Sequence, residues 1–164
     1  MEYVSAQINT TNGDSYEISL VPPDTRLISA NILQALGRDV SFATIYLERT
    51  KGFSTTPLRV LSRIADIIAE AFISHEDMII CYFCDPFSIL PVNKKNVPVQ
   101  EYRSRLFQDL FNRYVRHRGI DDVNLVVVEI PGIDEMNYVH LYVRNCHMKY
   151  VSIISEEFRK DYGK

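Results

Sequence analysis

No stretch of this 164-residue chain approaches the roughly 20 consecutive apolar residues that a membrane-spanning helix needs. A basic excess is missing as well. Lys and Arg number 18 against 21 Asp and Glu, a net charge of −3, which argues against a nucleic-acid binder driven by bulk electrostatics. Cysteine is scarce. Cys81, Cys84 and Cys146 cannot all pair within the chain, and two of them fall in an apparent core strand, so reduced thiols and a cytoplasmic setting are expected. The opening Met-Glu-Tyr-Val-Ser carries no positive n-region and no apolar run, so no signal peptide is read there. Repeats and low-complexity tracts are also lacking.

What is present is ordinary globular material, 46% hydrophobic and 24% charged, which predicts one domain over residues 1–164 around one well-filled core. The chain is organised around Met78-Ile79-Ile80-Cys81-Tyr82-Phe83-Cys84-Asp85, apolar on both faces and followed by Pro86. That pattern reads as a fully buried central strand. Before it, two alternating runs, Tyr3 to Thr10 and Ser15 to Leu20, flank Thr11-Asn12-Gly13-Asp14 and predict a hairpin. A three-residue loop, Asn12 to Asp14, places Ile8 opposite Ile18 and Ala6 opposite Leu20. Asp24 suits an N-cap for a helix from Thr25 to Leu36, closed by Gly37. Val40 to Arg49 is a strand with apolar residues on both faces, hence interior to the sheet.

Thr56-Pro57 then suits an N-cap and first helical residue, opening a helix that runs to about Ser74. Its stripe of Val60, Leu61, Ile64, Ala65, Ile67, Ile68, Ala71 and Phe72 is the cleanest amphipathic pattern in the chain. Asp85 to Gln100 has no periodicity, and irregular connections of that length are often functional. A helix from Glu101 to Arg118, a strand from Val123 to Ile130, a turn, and a strand from Asn137 to Arg144 follow. Tyr150, Val151, Ile154 and Phe158 mark a last helix. The order β-β-α-β-α-β-α-β-β-α predicts an α+β fold, a single mixed sheet of about six strands with helices packed on it.

Chemistry is sparse. Cys81-x-x-Cys84 lies in a strand, where an offset of three puts the two thiols on opposite faces, so core packing is expected. Cys146-His147 lacks further ligands, since His75, His117 and His140 show no spacing relation to it, and no metal site is read. Arg113, Arg116, His117 and Arg118 make one helix end basic, as the C-terminal dipole favours, with a phosphate contact as the sharper reading. Arg103 falls at the middle of an apolar helical stripe, in line with Leu106, Phe107, Leu110 and Tyr114. A guanidinium there needs a partner, and Asp85, at the exit of the central strand, is the best candidate. Such a pair pins the long connection or binds something beneath it. Tyr138, His140 and Tyr142 share one strand face. If no helix covers that face, its exposed aromatics predict a homodimer through it.

Two resemblances follow from these residues. Arg59-Val60 with Ile64, Ile67 and Ile68, then Ile80 to Asp85, then Arg103 to Phe107 before Leu110-Phe111, resembles an uncharacterised family of short bacterial proteins, a domain of unknown function. That resemblance implies bacterial origin and no activity. Strand, Arg49-x-x-Gly52-x-Ser54, helix, strand, helix and two antiparallel strands is similar to the second half of the GCN5-related N-acetyltransferase fold. That family cradles the pyrophosphate of acetyl-CoA on backbone N–H groups in a Gln/Arg-x-x-Gly-x-Gly/Ala loop. Arg49 and Gly52 match, Ser54 departs, and the opening hairpin departs from the family's order of elements.

With no nucleophile beside a base and no paired acids, the first expectation is a non-catalytic interaction or ligand-binding module without a cofactor. The alternative is an acyl-CoA-dependent N-acyltransferase using the Arg49–Thr56 loop. Candidate ligand-binding residues are Asp85, Arg103, Arg49, Gly52 and Ser54. Strand order, and whether the strands splay apart, separates the two readings.

Overall fold

The computed structural model describes residues 4–23, 28–52, 56–83, 99–133 and 136–162. They form β1 (Val4–Asn9), β2 (Ser15–Val21), α1 (Ala30–Leu36), β3 (Ser41–Lys51), α2 (Leu58–Ser74), β4 (Met78–Phe83), α3 (Val99–Arg118), β5 (Val123–Pro131), β6 (Met136–Arg144), a 3-10 turn (Asn145–Tyr150) and α4 (Val151–Tyr162). The six strands make one mixed sheet in the order β1-β2-β3-β4-β6-β5. β3 and β4 are parallel, joined by the α2 crossover, and the other neighbours are antiparallel. The α+β architecture and element order agree with the sequence reading.

Each sheet face carries its own helical layer. α2 and α3 cover Ala43, Ile45, Leu47, Ile80, Tyr82 and Tyr142. α1 and α4 cover Val40, Phe42, Ile79, Cys81, Leu141 and Val143. β4 is therefore buried from both sides, and five of its six residues are fully buried. Burying side chains of this size is worth ~1.5–3 kcal/mol each, so β4 and the α2 stripe dominate the core. The buried α2 residues are the eight read from the pattern, joined by Ala69.

Several boundaries differ from the sequence reading, each for a local reason. The β1–β2 turn has a three-residue loop, but it is Thr11 to Gly13, so Ile8 faces Tyr16 and Ala6 faces Ile18. Thr10 N–H donates to Asp14 O (2.9 Å) and Gly13 N–H to Thr10 O (3.2 Å). A type I turn closed by a left-handed third residue needs Gly there, and Gly13 has φ +89°. A loop over 12–14 would give that position to Asp14. The slip of two residues keeps every side chain on its face.

α1 begins at Ala30, and its cap is Ser29, whose Oγ accepts from Asn31 N–H (3.1 Å). The expected cap, Asp24, lies outside the described residues. Ser29 is favoured by a tertiary partner. Its hydroxyl donates to Glu157 of α4 (2.9 Å), and Asn31 Nδ2 donates to the same carboxylate oxygen (3.3 Å). α2 begins one residue later than predicted, at Leu58, with Pro57 in the cap position and Thr56 used elsewhere. α3 begins at Val99, two residues before Glu101. The rest of the irregular connection after β4 lies outside the described residues.

The face of Tyr138, His140 and Tyr142 is not open. His140 and Tyr142 are 0% and 1% exposed. Phe111 of α3 meets the Tyr142 ring at 4.9 Å between centroids. The condition on which a dimer through these aromatics rested is therefore not met, because an aromatic strand face and the apolar α3 stripe cover each other.

Candidate functional site

The sheet has one internal break. β3 and β4 are paired from Ser41↔Met78 to Thr44↔Cys81, and the ladder stops there. Ile45 and Tyr46 pair outward with β2, Tyr82 and Phe83 pair outward with β6, and neither pair joins across. β3 continues to Lys51, seven residues beyond Thr44 and about 23 Å of strand. Along this run its inner edge has no sheet partner among the described residues. The carboxyl ends of parallel strands are where α/β sheets place ligands.

Thr44 marks the point of parting. It is 3% exposed, and its hydroxyl has no hydrogen-bond partner among the described residues. Such orphans are uncommon and cost about 1–3 kcal/mol, so each calls for an explanation. Two residues on, Tyr46 is 45% exposed on the same face.

At the far end of β3, Arg49 bends back over the connection to α2. Its Nη2 donates to Thr56 Oγ1 (2.8 Å), its guanidinium lies 5.4 Å from the Tyr16 ring centre, and Tyr16 Oη donates to the same Thr56 oxygen (3.0 Å). Thr56 is thus held in front of α2. That helix has 17 residues, no side-chain cap and no acid in its first turn. Among the described residues no side chain answers the partial positive charge of its leading N–H groups. Gly52 has φ +94°, and a Cβ on it would collide with the Asp14 carboxylate. Asp14 is 1% exposed, with Oδ2 lacking a partner among the described residues. Gly52 is therefore required both by its backbone angle and by the close approach of Asp14.

On the β4 side of the break lies a buried polar group. Ser104 Oγ and His140 Nε2 are 2.8 Å apart, and Gln108 Nε2 donates to Ser104 Oγ (3.2 Å). Tyr82 stands opposite His140 across the β4–β6 ladder, with rings 6.3 Å apart. Arg103, the residue before Ser104, is 4% exposed. Burial lowers the His140 pKa to about 4, so the ring is neutral at pH 7. Its Nδ1 has no partner among the described residues. A proton on Nδ1 would be an orphan donor in the core, whereas a proton on Nε2 leaves an orphan acceptor, which costs less. His140 therefore donates to Ser104. Ser104 then receives two hydrogen bonds and is not an activated nucleophile, although the pair has nucleophile–base spacing.

The structure thus gathers Arg49 and Gly52 at the β3–α2 end and sets Arg103 on α3, against the β4–β6 side. Ser54 and Asp85 lie outside the described residues, and with them the Arg103–Asp85 pair. Asp14, Tyr16, Thr44 and Ser104 escaped the sequence reading as site residues, whereas Thr56 entered it as the end of the Arg49–Thr56 loop and His140 as part of an aromatic strand face. Only Ser104 and Gln108, four apart on the α3 stripe beside Arg103, left a helical-wheel signal. No group of three or more His, Cys, Asp and Glu able to hold a metal occurs among the described residues. No protein-family model, curated protein or solved structure matches this chain.

Proposed function

We propose that this chain is an acyl-CoA-dependent N-acyltransferase whose donor enters the break between β3 and β4. The observation that carries this reading is the end of the parallel ladder at Thr44. The Arg49-x-x-Gly52 pattern, which resembles the GCN5-related loop, lies at the end of β3, before α2.

The residues present fit such a donor in three ways. The inner edge of Ile45–Lys51 offers main-chain N–H and C=O groups that amides of an extended ligand can pair with. The Thr44 hydroxyl supplies a donor with no partner among the described residues. The uncapped α2 N-terminus suits a phosphate, with Thr56 anchored beside it by Arg49 and Tyr16. When bound, an acyl-CoA thioester supplies an activated acyl group for transfer to an amine. The chain's part is to hold the donor extended along β3 and keep water from it.

One observation favours a second reading, a non-catalytic ligand-binding module. The Asp14 carboxylate sits against Gly52, an anion close to where a pyrophosphate would lie. Thermal unfolding with acetyl-CoA separates the two. A ligand at 100 times its dissociation constant adds about 2.7 kcal/mol. A rise in melting temperature with acetyl-CoA, followed by acyl transfer to an amine panel, supports the enzyme. A rise without transfer supports the module, and no rise at millimolar acetyl-CoA removes acyl-CoA from both.

A further inference from the structure

A second cavity lies away from the sheet break, in the seam between α2 and α3. It holds about 300 Å³ and is lined by Ser62 and Asp66 from α2 and by Leu110, Arg113, Tyr114, His117 and Arg118 from α3. This is the lower end of the size range of small-molecule sites. Arg113 lies ten residues beyond Arg103, about 15 Å along the helix, so the seam is separate from the polar group at the start of α3.

The two walls differ in chemistry. Arg113 and His117, at positions i and i+4 of α3, share one side of the helix, and Arg118, about 100° further round, also lines the cavity. None of them makes an ion pair with a described carboxylate. Arg118 lies flat over the Tyr114 ring, 5.2 Å from its centre, which orients its fork. The C-terminal dipole of α3 accounts for cations in the last turn, at 116–118, but not for Arg113, which precedes that turn. The facing wall carries an acceptor-only carboxylate, Asp66, and a hydroxyl, Ser62. Asp66 and Glu70 both act on the Tyr114 hydroxyl and help hold its pKa above the usual tyrosine value, after burial, while Arg118 opposes them. Glu70 itself lies 3.8 Å from Arg63.

We infer that this seam binds a small phosphorylated polyhydroxy compound, such as a sugar phosphate. Two guanidinium groups on one wall match the oxygens of a phosphoryl group, which Arg recognises by paired N–H donors. Asp66 opposite repels a second anion but accepts hydrogen bonds from hydroxyls, and Ser62 adds one more donor and acceptor. A bare anion uses only the α3 wall, and a neutral sugar only the α2 wall. The inference does not depend on the acyl-CoA reading.

The experiment is calorimetric titration of the full chain with ribose 5-phosphate, glucose 6-phosphate, glucose and inorganic phosphate at low salt. At least one sugar phosphate is expected to bind at least tenfold more tightly than both glucose and inorganic phosphate. Arg113→Gln with Arg118→Gln is expected to weaken it tenfold or more, and Asp66→Asn to weaken it while sparing inorganic phosphate. The acetyl-CoA response of these variants is expected to stay as in the parent, which keeps the two proposals distinguishable. Should the double variant fail to fold, Asp66→Asn and Ser62→Ala on the other helix carry the test. Equal affinity for sugar phosphate and inorganic phosphate, affinity unmoved by the substitutions, or no binding of either sugar phosphate below about 1 mM overturns the proposal.

Discussion

Among the described groups through which acid should destabilise this protein, His140 is the most deeply buried. The ring is fully buried between β4, β6 and α3, with Tyr82 and Ser104 beside it, and burial lowers its pKa to about 4. In the unfolded chain a histidine titrates near pH 6.5. Between these values the unfolded state binds more protons than the native state, so stability falls as pH falls. The loss begins near pH 6.5 and is complete below about pH 4. The shift amounts to about 3 kcal/mol in full and about 2 kcal/mol between pH 7 and pH 5. Urea unfolding at a series of pH values measures it, with His140→Gln as the control that keeps a polar group but does not titrate. The control will be less stable at pH 7, so the informative quantity is the difference in slope. The parent should lose about 2 kcal/mol more than the control between pH 7 and pH 5. Parallel pH profiles would show that His140 takes up its proton as readily in the native state as in the unfolded chain, and the lowered pKa would be wrong.

Three further outcomes are expected. Arg144 donates to Phe72 O (3.4 Å) and Ile73 O (3.0 Å) at the end of α2 and pairs with Asp122 (3.0 Å), so Arg144→Ala should cost about 2–3 kcal/mol in denaturant unfolding, whereas Asp122→Asn, at a half-exposed acid, should cost under about 1 kcal/mol. Gly52→Ala, which would stabilise an ordinary helix or strand, should here cost more than about 1 kcal/mol, and Asp14→Gly should recover part of the loss in a double-mutant cycle, because the collision and the positive φ are separate penalties. Arg103→Ala should cost about 3–5 kcal/mol, since the residue is almost fully buried, and a cycle with Asp85→Ala should be sub-additive if that acid is its partner.

The fold was legible where the pattern is local and strong. β4 and the α2 stripe announce themselves by continuous and 3.6-period apolar spacing, and the two hairpins by alternation around turn residues. What escaped depends on contacts between distant parts of the chain. Nothing near Ser29 in sequence predicts that Glu157, 128 residues away, will select it over Asp24 as the α1 cap. The hairpin slip was decided by which loop position Gly13 must hold, a backbone angle that apolar pairing does not report. His140 read as a surface residue because an alternating strand says which side chains share a face, not whether a helix covers it. The functional site was legible only as the Arg49–Gly52 loop. Asp14 and Thr56 join it through a turn and a helix start, and Thr44 carries no sequence signal because its importance lies in where a ladder ends.

That ladder end can be tested directly. β3 has 11 residues and β4 six, and β6 fills the outer edge of β4. Among the described residues the run Ile45–Lys51 is therefore an edge inside a sheet, paired with β2 on one side only. Proteins ordinarily blunt such edges, because unpaired N–H and C=O groups invite another strand. The register shift falls near the far end of β3, where the adjacent Ser15 and Tyr16 oppose Lys51 and Arg49 and Thr50 is the extra residue. A donor lying along that edge would complete the ladder. Amide exchange should then divide Ile45–Lys51 into alternating classes, those facing β2 already slow and those facing the break fast. Saturating acetyl-CoA should slow the second class at least tenfold and leave the first unchanged, and Thr44→Val should reduce the effect. If acetyl-CoA binds while the fast class stays fast, the donor lies elsewhere, and the break between β3 and β4 is a structural feature of this sheet rather than its binding site.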